Sequence, residues 1–149
     1  MTFAGLWNKL FRPKIDTPTE TILVVDDNAT DRTLVLNILA KKGYKTLSAS
    51  DGESAIKMAE SLLPDLVILD YMMPGKNGPD VCHILKEKPS TQNIPVIFLT
   101  SLDTPISVIE CFKEGAEIFL SKPVKPGELL EQIKLSLIVL SESKKESAP

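Results

Sequence analysis

Three aspartates, a threonine and a lysine stand at the ends of apolar runs in this chain, and their types suit chemistry on charged oxygen. Asp70 closes Leu66-Val67-Ile68-Leu69 and opens the loop Tyr71-Met72-Met73-Pro74-Gly75-Lys76-Asn77-Gly78. Asp26-Asp27 closes Thr21-Ile22-Leu23-Val24-Val25, Thr100 ends Pro95-Val96-Ile97-Phe98-Leu99, and Lys122 follows Glu117-Ile118-Phe119-Leu120-Ser121. Apolar runs rich in β-branched residues read as strands buried on both faces, the pattern of a parallel sheet interior. In open parallel sheets, ligands gather outside the carboxyl ends of the strands. Carboxylates that close cannot all stay ionised without a cation, and oxygen ligands that keep several waters are what Mg²⁺ prefers. A metal-bound carboxylate with an ammonium group and a hydroxyl nearby suits phosphoryl transfer, because cations offset charge on the equatorial oxygens. Asp is a competent covalent acceptor, so Asp70 is the candidate nucleophile.

Helices must lie between those strands to hold them parallel. Asn28 with Asp31 opens the first, with Leu34, Val35, Ile38 and Leu39 expected inward and Gly43 closing it. After a short strand from Tyr44 to Ala49, Ser50-Asp51-Gly52-Glu53 has the spacing of a capping box. It predicts a helix with Ala55, Ile56, Ala59, Leu62 and Leu63 inward, stopped by Pro64. Pro79 suits the first turn of the next helix, which carries Val81, Ile84 and Leu85. Asp103 or Thr104 caps another, with Pro105 in its first turn, Ile109 and Phe112 inward, and Gly115 at its end. Gly127 to about Leu140 is the last, with Leu129, Leu130, Ile133, Leu137 and Leu140 as its core stripe and Leu135, Ile138 and Val139 left over. Five such units predict an α/β fold: a three-layer doubly wound (βα)5 sandwich around a parallel five-stranded sheet of order 2-1-3-4-5, flavodoxin-like.

Composition sets the remaining bounds. The 149 residues, 43% hydrophobic and 25% charged, make one domain large enough to bury a core without disulfides or a structural metal. Net charge is −3, so nothing in the balance favours nucleic acid. Cys82 and Cys111 form no metal-ligand spacing and read as reduced packing residues, and His83 reads as solvent-facing. No apolar run approaches the ~18–20 residues that span a bilayer, no signal peptide is visible, and P-loop and dinucleotide fingerprints are absent.

Residues 1–19 stand apart as an N-terminal extension and linker, before a domain over 20–140 and a polar tail over 141–149. Phe3, Leu6, Trp7, Leu10 and Phe11 recur at helical spacing on one face. Lys9, Arg12 and Lys14 against Asp16 give this segment a net charge of +2, which leaves −5 on the rest of the chain. A helix that short is marginal alone, so it needs a membrane surface, a partner's groove or the domain's own flank. The expected location is cytoplasmic, peripheral at the membrane where the segment meets lipid.

Taken together, Val24-Val25-Asp26-Asp27, Asp70 with Met73-Pro74 and Gly78, Thr100-Ser101, and Lys122-Pro123 resemble the receiver domain of two-component response regulators. The resemblance covers roughly residues 20–140; each fragment alone is weak, but together and in order they are highly specific. It implies that Asp70 accepts a phosphoryl group from a sensor histidine kinase or a histidine phosphotransfer protein. It implies Mg²⁺ on Asp27, Asp70 and the Met72 carbonyl, with Asp26 acting through water. Lys122 would pair with a phosphoryl oxygen, Thr100 would swing to another, and small Ser101 would leave room. The Lys122-Pro123 bond would be cis. Phe119 would be the switch aromatic, where Tyr is common. Met72 and Leu102 would flank the phosphoryl group and, being apolar, would prolong its lifetime.

With only residues 141–149 after the last helix, the reading is a stand-alone receiver that signals through a downstream protein of unknown identity. A phosphorylation-dependent homodimer through the C-terminal elements is a further expectation. A hydrolase of the haloacid dehalogenase type is the rival from another class, but it wants an Asp where Met72 stands. A degenerate, never-phosphorylated receiver is opposed by the intact set of five residues.

Overall fold

The computed structural model describes residues 2–11, 18–101, 109, 113, 115 and 118–146. Its elements are α1 (Phe3–Phe11), β1 (Thr21–Val25), α2 (Ala29–Lys42), β2 (Lys45–Ala49), α3 (Gly52–Leu62), β3 (Leu66–Leu69), α4 (Gly78–Glu87), β4 (Val96–Thr100), β5 (Ile118–Ser121) and α5 (Pro126–Glu146). The strands form one sheet of order β2-β1-β3-β4-β5, with every neighbouring pair parallel. This is the expected doubly wound architecture.

Alternation along the strands explains why the sheet is covered on both sides. Successive side chains point to opposite faces. Leu23, Val25, Val67, Leu69, Val96 and Phe98 pack with Ala55, Ile56 and Ala59 of α3 and with Val81, Cys82 and Leu85 of α4. Their neighbours Ile22, Val24, Leu66, Ile68, Ile97 and Leu99 pack on the other side with Val35 and Leu39 of α2 and with Leu129 and Ile133 of α5. All four residues of β3 are buried, while β2, at the sheet edge, is only partly covered.

Caps place the helices. Asn28 accepts from the Asp31 N–H at 2.9 Å, and Gly43 closes α2 with φ 93°. Asn77 and Asp80 form a reciprocal capping box at the start of α4, with Pro79 in its first turn. At α3 the cap lies one residue later than predicted: Asp51 accepts from the Ser54 N–H at 2.8 Å and from its hydroxyl at 2.9 Å, in place of a Ser50–Glu53 box.

Several inward assignments need correction. Leu34 is 47% exposed, because the inner stripe of α2 is centred on Val35 and Leu39, one residue further round the helix. Leu62 and Leu63 are exposed, since α3 ends there and Leu63 turns the chain with a left-handed φ of 45°. Ile109 is also exposed. The helix α5 runs past Leu140 to Glu146, so the boundary drawn at 140 falls inside it. Leu135, Ile138 and Val139 are exposed, in keeping with a helix more apolar than one buried face requires. Leu102, Asp103, Thr104, Pro105, Cys111 and Phe112 lie outside the described residues. Among the described residues, no helix is long and apolar enough to cross a membrane.

Candidate functional site

The register of the central strands builds the site. Val25 lies beside Leu69 in the sheet, so the residues that follow, Asp26 and Asp70, leave adjacent strands at the same level. Backbone bonds fix both: Asp70 N–H donates to the Val25 carbonyl at 2.9 Å, and Asp26 N–H donates to that of Ala49 at 3.2 Å. One carboxylate oxygen each from Asp26, Asp27 and Asp70 lies within 4.8 Å of the others. Asp26 and Asp70 are buried, while Asp27 is exposed.

The edge pair β4–β5 delivers the cation and the hydroxyl. Thr100 pairs with Ser121 in the sheet, and Lys122 N–H donates to the Thr100 carbonyl at 2.7 Å. Thr100 is buried. The Lys122–Pro123 bond is cis, as the resemblance implied. From there Lys122 Nζ reaches Asp26 Oδ2 at 2.8 Å, Asp31 Oδ2 at 2.9 Å and Asp70 Oδ1 at 3.5 Å.

Two of these contacts escaped the sequence reading, which used Asp31 only to open a helix and did not use Arg32. Arg32 Nη1 donates to the Asp26 carbonyl at 2.7 Å. Both residues belong to the first turns of α2, which overhang the carboxyl end of β1. A charged residue in the first turn after a strand is the signal that could have flagged them.

The loop after Asp70 closes back on the site. Gly78 N–H donates to the Tyr71 carbonyl at 2.8 Å. A Cβ on Gly78 would stand 2.3 Å from the Asp70 carbonyl oxygen and 2.6 Å from the Phe98 ring, so only glycine allows this approach. Within the loop Met73 is buried, whereas Met72 is 63% exposed. Phe119 pairs with Phe98 across β4–β5 and is half-buried against the core under α3 and α4. His83 faces out on α4, 2.9 Å from Glu87.

Electrostatics distinguish the members of this group. Burial, then the nearby Asp26 charge, pushes the Asp70 carboxyl up to about 7; Lys122 pulls it down, and Asp27 adds to the rise. Burial pulls the Lys122 ammonium the other way, but hydrogen bonds to Asp26 and Asp31 and the charges of Asp70 and Asp26 outweigh it. Its net shift is upward, and Lys122 stays protonated. The donor set is oxygen only, with excess negative charge and one ligand open to solvent, which fits a hard divalent cation that keeps waters.

A doubly wound parallel sheet with an acidic, cation-ready crevice at its switch point, flanked by an invading lysine, defines the class of molecule. The chain belongs to the response regulator receiver domain family, whose model matches residues 22–134. It is similar to the DNA-binding response regulator MtrA of Mycobacterium bovis, with 36% identity over 123 residues, 83% of this chain and 53% of that protein. It is also similar to the response regulator PleD of Caulobacter vibrioides, with 40% identity over 113 residues, 76% of this chain and 25% of that protein. This chain thus spans about half the length of the MtrA proteins or less of PleD. Among solved structures, a putative response regulator from Chloroflexus aurantiacus superposes with TM-score 0.78 at 32% identity, covering 81% of this chain and 99% of that one. The chemotaxis protein CheY4 of Vibrio cholerae does so with TM-score 0.76 at 28% identity, covering 80% and 99%.

Proposed function

We propose that Asp70 is the phosphoryl acceptor of this receiver, charged by a phosphohistidine on a sensor kinase or a phosphotransfer protein. A carboxylate oxygen of Asp70 attacks phosphorus in line, the P–N bond to the donor imidazole breaks, and an acyl phosphate remains. Attack by water on that phosphorus later returns the carboxylate and inorganic phosphate. Mg²⁺, held by Asp27, Asp70 and the Met72 carbonyl with Asp26 through water, would offset the charge that develops on the phosphoryl oxygens. Lys122 supplies a second positive charge to a phosphoryl oxygen. Thr100 donates its hydroxyl to another, and Phe119 follows that movement inward. The observation that carries this reading is the convergence of Asp26, Asp27 and Asp70 with Lys122 at 3.5 Å from Asp70.

Intact mass after incubation with acetyl phosphate and Mg²⁺ tests it. One added phosphoryl group is expected, absent with EDTA and absent in Asp70→Asn; a modified Asp70→Asn variant overturns the assignment. Met72 and Leu102, both apolar, cannot orient an attacking water, so the acyl phosphate should be long-lived. Faster decay is expected in Met72→Asn, and an unchanged decay rate sinks that idea. The exposed Leu135, Ile138 and Val139 on α5 support a phosphorylation-dependent homodimer as output. Light scattering with beryllofluoride that shows monomer alone removes it. The acidic balance of the chain favours a protein as downstream partner over nucleic acid.

A further inference from the structure

Outside the receiver match, α1 presents apolar side chains to solvent: Phe3 is 80% exposed, Leu10 64% and Leu6 44%. In the sequence, Trp7 and Phe11 stand at the same helical spacing as Phe3, Leu6 and Leu10. A short helix rich in Trp, Phe and Leu within a net-basic segment is the pattern of a helix lying in a lipid interface. Phe3, Leu6, Trp7 and Leu10 stand at i, i+3, i+4 and i+7, a spacing that a protein groove also accepts, so charge decides between the two. Lys9, Arg12 and Lys14 give residues 1–19 a charge of +2 while the remaining chain carries −5. An anionic surface would therefore attract this arm and repel the body. We propose that α1 anchors the protein, reversibly, on an anionic lipid bilayer, with the receiver held off the surface. Hydrophobic insertion and basic charge act together, since one weak signal gives only marginal binding.

Trp7 is the one tryptophan of the chain, so its emission reports this helix alone. The full chain should show a blue-shifted Trp7 emission and co-sediment with phosphatidylcholine vesicles that contain phosphatidylglycerol. Both signals should fall severalfold in pure phosphatidylcholine or high salt, and in Leu10→Glu and Lys9→Glu variants. Unmoved emission, or equal binding to neutral vesicles, overturns the proposal. So does a blue shift that appears without vesicles and grows with protein concentration, since a second copy of the chain would then be the occupant.

A separate observation concerns Asp31, and it rests on the reading of Asp70 as phosphoryl acceptor. Lys122 Nζ lies nearer to Asp31 (2.9 Å) than to Asp70 (3.5 Å). Asp31 is itself held at the start of α2 by its backbone bond to Asn28. The geometry points to Asp31 as a positioning residue that competes with the phosphoryl group for the lysine and so favours the unphosphorylated state. Beryllofluoride binding at saturating Mg²⁺ reads this directly: Asp31→Asn and Asp31→Ala should bind the mimic at least threefold more tightly than the parent. In a Lys122→Ala background, Asp31→Asn should change nothing, because the effect passes through the lysine. Unchanged affinity in the single variants overturns the inference, as does the same gain without Lys122. A parent protein that binds no beryllofluoride fails the acceptor reading instead.

Discussion

Asp70 carries opposed demands, because burial and the charges of Asp26 and Asp27 resist its ionisation while Lys122 and a bound cation would favour it. Its carboxyl titrates near 7 in the fold, against about 3.9 in an unfolded chain. Between those values the folded state binds more protons, so this group's contribution to stability is full below about pH 4 and falls away as pH rises through 7. In Mg²⁺-free buffer at pH 8, Asp70→Asn should melt about 3–6 °C higher than the parent. That difference should shrink toward zero near pH 4; a gain independent of pH contradicts the electrostatic account. Gly78 marks a different kind of constraint, since its Cβ position is filled by the Asp70 carbonyl and Phe98. Gly78→Ala should cost about 2–3 kcal/mol in urea unfolding and displace the loop that bears the Met72 carbonyl, weakening Mg²⁺ binding with it. A variant as stable as the parent would show that the loop yields freely.

At the scale of elements, helix ends rather than helix middles set the geometry. The first turns of α2 bring Asp31 and Arg32 over Asp26, and the Asn77–Asp80 box starts α4 where the loop after Asp70 must close. The end of α3 is less well fitted, because Leu63 holds φ 45° with an exposed side chain. A left-handed conformation costs a non-glycine residue about 1–2 kcal/mol. Leu63→Gly should therefore raise the urea midpoint by an amount worth about 0.5–1 kcal/mol, after the entropy cost of glycine in the unfolded chain. A loss of stability instead would mean that the Leu63 side chain contributes packing that its exposure hides.

For the molecule as a whole, the sheet is covered on both faces and the three carboxylates gather at the carboxyl ends of its strands. A ligand that binds only the folded state stabilises it by mass action. Adding Mg²⁺ to about 100 times its dissociation constant should stabilise the fold by about 2.7 kcal/mol, visible as a higher melting temperature that EDTA reverses. Asp27→Asn should lose most of that increment while leaving the core intact, since Asp27 is the exposed member of the cluster. The lipid contact proposed for α1 differs in chemistry from the cation site, and the two can be tested independently.

The buried strands, their order along the chain and the residue types at their ends were all legible in the linear sequence. Each depends on local information: an apolar run, the residue that closes it, and the turn chemistry that follows. The acceptor candidate Asp70, its acidic neighbours, Thr100 and Lys122 are therefore legible in the linear sequence. Other features depend on the angle and register between elements that are distant in sequence. Exposure of Leu34 beside the buried Val35 is set by how α2 rotates against β1 and β2. The grip of Asp31 on Lys122 spans 91 residues of chain, and the need for glycine at 78 arises only where its loop folds back on Asp70. Local pattern determined which residues could do chemistry; packing between distant elements decided which of them touch, because a helix face and a side-chain reach have no meaning until a neighbouring element is in place.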